Sequence, residues 1–404
     1  MSETLRGAAV VAHGGGPTQV INASLAGVIE EYGRHSEITA MYGARHGILG
    51  VLGEDFVNLE EHDAGLVAAI GRTPGSALGS CRRKVSNTDY DRILEVFRAH
   101  NVRYFFYNGG NDSMDTAFHV SRLARETGYE MRVMGIPKTI DNDLAETDHC
   151  PGYGSAARFI AHALRDIGGD NLALPTPITV VEVMGRNAGW LVAATSLARH
   201  TPDDAPHLIY LPERRISEDQ LIADVESVYR RLRRCVVAVC EGQTNDKGEP
   251  FGAEMVTADG FQHKLAGNLA HVLSQLITRR LNLRARSEKP GLLGRSSAAF
   301  ISKTDQVEAH CCGQTAVRAA VEGITGKMVT LIRASGGPYR CETGLADLEK
   351  VANTERPFPA EWIHPSGHDV LPPFLDYAAP LAGEVEPRPS LREASVPKLV
   401  TRLD

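Results

Sequence analysis

The sequence predicts an α/β protein of two doubly wound domains, and three observations predict it. Short apolar runs alternate with amphipathic stretches along most of the 404 residues. There are more such runs than one compact sheet accommodates. Several glycine-rich segments stand where a strand would end and a helix begin, which is where open α/β sheets bind ligands.

Taken in order, residues 8–12 read as a buried strand and 21–32 as the helix after it. Residues 102–107 form a second strand, 114–125 a helix, and 131–136 a third strand. The run at 178–184 has the clearest strand pattern, followed by a helix over 189–199. Strands at 207–211 and 236–240 enclose a helix at 219–233, and 328–333 is a late strand. Runs of four to eight residues that are apolar on both faces and separated by helices imply parallel sheets. The domain break is expected near 150–154, dividing the chain into 1–150, 151–325 and a final 326–404 that holds a late strand, a helix and a loosely packed, proline- and charge-rich tail from about 383.

Composition bounds the function. Apolar residues are 43% and charged residues 23%, ordinary for a soluble globular protein, and the net charge of −7 gives no reason to expect nucleic-acid binding. The basic cluster at 230–234 reads as a solvated helix face. Seven cysteines without a C-x-x-C pair argue against a disulfide framework or zinc site and for a reducing cytoplasm. The apolar run at 7–12 is too short for a secretory signal, and no stretch approaches the roughly 20 apolar residues of a membrane span.

Four segments carry chemistry. His13-Gly14-Gly15-Gly16-Pro17-Thr18 follows the first strand. Glycines let a phosphate approach the backbone at a helix N-terminus, although such turns also serve tight packing. Gln19 stands where a dinucleotide fingerprint needs glycine, and no Gly-Lys-Ser/Thr completes a P-loop. Gly109-Gly110-Asn111-Asp112-Ser113 offers either a second phosphate site or a helix start capped by Asp112 or Ser113. Pro137-Lys138-Thr139-Ile140-Asp141-Asn142-Asp143 supplies a cation, a hydroxyl and two carboxylates; an acidic turn is its bland alternative. A placed carboxylate accepts the proton of a sugar hydroxyl during phosphoryl transfer, and a second one orients it or helps hold magnesium. Met184-Gly185-Arg186 follows the clearest strand, and Arg186 is either structural or a fork for a phosphate.

Read in this order, the segments resemble the phosphofructokinase family from about residue 8 to 325. The resemblance implies two Rossmann-like domains, with the active site in the cleft between them. It gives Asp141 the place of the general base for the sugar 1-hydroxyl, with Lys138 and Thr139 as its catalytic neighbours. Gly15, Arg82, Gly110, Asn111 and Asp112 take donor-binding places. Thr139, Asp141, Asp143, Met184, Gly185, Arg186, Glu241, Arg286 and Arg295 take places around the sugar phosphate, and Asn111 and Asp143 those of ligands to Mg2+. ATP-using members carry glycine at the positions of Asp112 and Lys138; pyrophosphate-using members carry aspartate and lysine, as here. A carboxylate at 112 would repel a nucleotide α-phosphate, and a lysine at 138 adds a cation beside the shorter, highly charged donor. The resemblance therefore implies pyrophosphate and fructose 6-phosphate as substrates, in a cytoplasmic homodimer. An ATP-dependent kinase of the same family, or one acting on sedoheptulose 7-phosphate, is the alternative. Asn111 replaces a metal-binding aspartate, Pro177 an arginine that crosses a subunit interface, and Leu292 a histidine near the sugar phosphate.

Overall fold

In a computed structural model the apolar runs become two open sheets joined by long helices. The structure describes residues 5–174, 177–251, 256–258, 264–266, 268–389, 391 and 396–397. The strands are β1 (Gly7–His13), β2 (Ile38–Ala44), β3 (Phe56–Asn58), β4 (Val102–Gly109), β5 (Arg132–Pro137), β6 (Ile178–Val183), β7 (Leu208–Tyr210), β8 (Cys235–Cys240), β9 (Val256–Ala258), β10 (Lys264–Ala266), β11 (Ala285–Glu288), β12 (Lys327–Arg333) and β13 (Cys341–Asp347).

The first sheet has the order β13-β12-β5-β4-β1-β2-β3. Its interior pairs are parallel, while β3 and β13 add antiparallel edges. Every residue of β1 is buried, because helices cover both faces. The chain runs outward from β1 through β2 on one side and returns to β4 on the other, so a topological switch point lies between β1 and β4. The loops after these strands splay apart there and leave a crevice beyond the strand ends. The second sheet, β11-β6-β8-β7, is parallel throughout, and β6 and β8 are buried along their whole length.

Between the sheets runs the helix Tyr153–Ala173. No residue of its own caps it. Asp305, from the helix Lys303–Val321, accepts from the backbone N–H groups of Gly152 (2.8 Å) and Ser155 (2.9 Å) and from the Ser155 hydroxyl (2.5 Å). Helix Lys303–Val321 also returns to the first sheet, where Cys312, Ala316 and Ala320 pack with Leu25 and Val28 of the helix Ile21–Tyr32.

The chain after residue 326 does not stand apart. β12 pairs with β5, Leu348 and Val351 enter the core of the first sheet, and Phe358, Ile363, Phe374, Tyr377 and Leu381 enter the core beside the second. The described part of the tail lies along helix Tyr153–Ala173: Val385 is buried, and Arg165 donates to the carbonyl of Glu386. Over 383–389 only Val385 is buried while Glu384 and residues 386–389 are exposed, and the expectation of a loosely packed tail for most of 390–404 lies outside the described residues.

Two local expectations also change. The helix expected at 114–125 begins at Asn111 with Gly110 as its N-cap, so neither Asp112 nor Ser113 is the cap. The helix expected at 189–199 is a short α-turn, Trp190–Ala193, followed by a 3-10 turn, Ala194–Ala198. There the Thr195 and Ser196 hydroxyls donate to carbonyls three residues back and tighten the winding.

Candidate active site

Three loops of the first sheet converge on a pocket whose opposite wall belongs to the second. It is lined by Gly15 to Thr18, Arg82, Gly110 to Ser113, Lys138 to Asp141, Asp143, Met184, Arg186, Glu241 and Arg295.

The loop after β1 is held by backbone bonds: Gly14 N–H to Asn108 O (2.8 Å) and Gly15 N–H to Cys81 O (3.0 Å). Gly15 sits at φ +76°, a left-handed conformation that glycine adopts without strain, and a Cβ there would lie 3.2 Å from Lys138 Nζ. A Cβ on Gly16 would collide with the Arg295 guanidinium. Bare backbone thus lets two cations approach the loop. Lys138 follows β5, is buried, and donates from Nζ to Gly16 O at 2.8 Å. Burial, then Arg186, pulls its ammonium down to about 7 against the opposing effect of Asp141, with Arg295 and Arg82 adding to the depression. A cation held dry among arginines, with no ion pair to a carboxylate among the described residues, is a site that gains from a polyanion.

The carboxylates stand opposite. Asp141 lies 3.6 Å from Arg186 Nε, and its backbone N–H donates to Thr139 Oγ1 at 3.0 Å. Asn142, between the two acids, is left-handed at φ +58° and is fixed by Nδ2 to Tyr377 OH (2.9 Å) and by Cys150 N–H to its Oδ1 (2.9 Å). Burial, then Asp141, pushes Asp143 up to about 7. Glu241 follows β8 and accepts from the N–H groups of Gly185 and Arg186, both at 3.2 Å. Its carboxyl is raised by burial and then by Asp141. Burial, then Arg82, lowers the Arg295 guanidinium.

Of the residues expected from the sequence, Gly15, Arg82, Gly110, Asn111, Asp112, Lys138, Thr139, Asp141, Asp143, Met184, Arg186, Glu241 and Arg295 line this pocket. Gly185 stands behind them as the N–H donor to Glu241. Arg286 does not reach it. It lies on the edge strand β11, paired with Thr179 in register, and its guanidinium is 4.0 Å from Asp170 near the C-terminal end of helix Tyr153–Ala173. Thr18, Ser113 and Gly16 were not singled out as site residues, although they lie inside the two glycine-rich motifs that were.

The carboxylates fit a hard divalent cation: Asp143, whose charge is disfavoured by burial and then by Asp141, would be relieved by a positive charge. Asn111 fits less fully. Its amide faces the carbonyls of Val351 and Thr354, and with its nitrogen turned to them it donates to both at 3.1 Å, leaving only the amide oxygen for a ligand.

Two open sheets with a charged crevice between their strand ends define a sugar-phosphate phosphotransferase architecture, and the sequence comparison agrees: the chain belongs to the phosphofructokinase family, whose model matches residues 8–320. It is 41% identical over 378 residues to a pyrophosphate–fructose 6-phosphate 1-phosphotransferase of Xanthomonas campestris, covering 92% of this chain and 90% of that one. It is 42% identical over 405 residues to an enzyme of the same name from Rhodospirillum rubrum, covering 98% and 100%. The crystal structure of a pyrophosphate-dependent phosphofructokinase from Marinobacter aquaeolei superposes with a TM-score of 0.85 at 36% identity, over 96% of this chain and 94% of that one.

Proposed function

We propose that this chain transfers a phosphoryl group from pyrophosphate to the 1-hydroxyl of fructose 6-phosphate, giving fructose 1,6-bisphosphate and phosphate. The observation that carries the donor is the pair Asp112 and Lys138 on one side of a single pocket. Lys138 is a buried cation against the first glycine loop, and Asp112 is a carboxylate in the first turn of the helix behind it. A short polyanion gains the charge of the first; a nucleotide, whose chain must continue past the transferred group, meets the repulsion of the second.

In this reading Asp141 takes the proton of the attacking hydroxyl, with Arg186 supplying counter-charge at 3.6 Å. Lys138 and Arg82 hold the donor and stabilise the charge that shifts onto the leaving phosphate, and Thr139 positions it. Glu241 accepts from a sugar hydroxyl, Met184 and Arg186 line the acceptor side, and Arg295 takes the 6-phosphate. Asp143 and the amide oxygen of Asn111 would hold Mg2+, which neutralises phosphoryl oxygens when bound. The enzyme works as a cytoplasmic homodimer in this reading; Leu292 and Leu293, both more than half exposed, offer apolar surface for such contact.

Steady-state kinetics with both donors test the donor assignment. The wild type uses pyrophosphate and little or no ATP, and it also runs backwards from fructose 1,6-bisphosphate and phosphate. Asp112→Gly weakens pyrophosphate use, Lys138→Gly alone does not admit ATP, and the double substitution shifts preference towards ATP. A wild type that prefers ATP overturns the donor while leaving the sugar kinase in place.

A further inference from the structure

Arg356 lies beyond the part of the chain that the family model matches, yet it reaches the loop that carries both acids. Its Nη2 donates to Asn142 O at 2.8 Å, and its Nη1 to Thr147 O at 2.8 Å and Asp148 O at 2.5 Å. Its backbone N–H donates to Asp143 O at 2.7 Å. One residue therefore grips four carbonyls of a single loop. Its own carbonyl accepts from Trp190 Nε1 at 3.1 Å, and its guanidinium lies 4.4 Å over the Trp190 ring, just past the Met184-Gly185-Arg186 turn. Two to five residues upstream, Val351 and Thr354 present their carbonyls to Asn111, and Asn353 donates to Asp115 of the same helix at 2.8 Å. Tyr377 completes the cage: its hydroxyl accepts from Asn142 and donates to Asp148 O at 2.8 Å.

The need for such a device is physical. Asp141 and Asp143 are two acids separated by one residue in a buried pocket, and burial, then Asp141, disfavours the charge of Asp143. Asn142 between them holds a left-handed conformation, fixed through its side chain by Tyr377 and Cys150 and through its carbonyl by Arg356. Among the described residues no carboxylate pairs with Arg356, so its charge is directed at carbonyl dipoles and not at a neutralising partner.

We propose that Arg356 is a positioning residue for the phosphoryl transfer: by fixing Asn142 it holds Asp141 and Asp143 at their separation and ties the acid loop to the Asn111 helix and to Trp190. The inference rests on Asp141 acting as the base. Arg356→Lys keeps the charge but cannot reach three carbonyls at once. It folds, lowers kcat about 10- to 100-fold, and leaves both KM values within about threefold, because a displaced reacting group costs rate more than binding. Tyr377→Phe removes one hydroxyl from the cage and lowers kcat less, again with both KM values little changed. A role confined to stability predicts instead a lower Tm with unchanged kcat in the folded enzyme. A folded Arg356→Lys with kcat within about twofold of wild type overturns the proposal. Should Arg356→Lys not fold, a Tyr377→Phe enzyme with wild-type kcat overturns it. If Asp141→Asn keeps turnover, the base assignment has failed and this inference with it; an inactive Asp141→Asn beside a wild-type-like Arg356→Lys removes only Arg356.

Discussion

In the proposed reaction the donor wall of the pocket rests on three loops of one sheet, whereas the acceptor wall is gathered from loops of a second sheet and the turn Gly291–Arg295. The donor loops are tied to one another by main-chain bonds, Gly14 to Asn108, Gly15 to Cys81 and Lys138 to Gly109, and by Lys138 Nζ on Gly16 O. On the acceptor side the Glu241 N–H donates to Val183 O and its carboxylate accepts from the N–H groups of Gly185 and Arg186. A phosphate that is recognised by backbone and fixed charge needs residues close in sequence. A sugar phosphate with several hydroxyls needs groups placed around it from many directions, and only packing brings those together.

Substitutions on the two walls should separate in rate and affinity. The largest effect falls on the acid shared by both. Asp141→Asn lowers kcat by ~10²–10⁴-fold with little change in sugar-phosphate affinity, as expected for loss of a general base. Retention of more than about a tenth of wild-type turnover would falsify that role.

On the donor wall, Lys138→Met removes a buried charge-assisted contact and lowers kcat/KM for pyrophosphate by about 30-fold or more, with the fructose 6-phosphate KM little changed. The same residue sets a pH dependence. Its ammonium, drawn down to about 7 before ligand binds, loses its proton as pH rises, so the pyrophosphate KM of the wild type climbs above that pH. Lys138→Arg, whose guanidinium stays charged, flattens the climb. A pyrophosphate KM that is flat across this range in the wild type removes Lys138 from the donor site.

On the acceptor wall, Arg295→Ala weakens fructose 6-phosphate binding by about 1.5–3 kcal/mol and pyrophosphate binding less. Its contact with Gly16 makes this the sharper test, because an arginine that belonged to the donor would raise the pyrophosphate KM instead. Arg286→Ala is the informative companion. Arg286 lies outside this chain's pocket, so an equal loss there would mean that it serves the pocket of another copy.

The smallest effect is on stability. The carboxyl of Asp143 is raised to about 7 from an ordinary 3.8, so the ligand-free fold holds a proton there that the unfolded chain releases. Stability from this group is full below the unfolded value and is lost as pH rises from about 4 to 7. Asp143→Asn keeps a neutral group at every pH and therefore raises the unfolding free energy at pH 8 by about 1 kcal/mol or more, while gaining nothing at low pH. Denaturant unfolding at the two pH values measures this; an equal effect at both would show that burial does not disfavour the charge.

The amino-acid sequence by itself determined the strands buried on both faces, because their apolar runs leave no other low-energy arrangement. β1, β4, β5, β6 and β8 lie where those runs are. The glycine-rich and acidic motifs were legible there too as contiguous segments, each with a structural alternative left open, and the fold brings them to one pocket. The edges were hidden. β11 reads Ala-Arg-Ser-Glu and β13 carries Glu, Thr, Gly and Asp among few apolar residues, so each is a strand only because a neighbour offers it a free row of hydrogen-bonding groups. The tertiary structure alone decided that Arg295 faces the first glycine loop while Arg286 turns outward. It also decided that the chain after 326 returns to both cores. Arg356 shows the reason most directly: its partners are backbone carbonyls more than 200 positions earlier, and a carbonyl carries no side-chain signature by which a sequence could announce the contact.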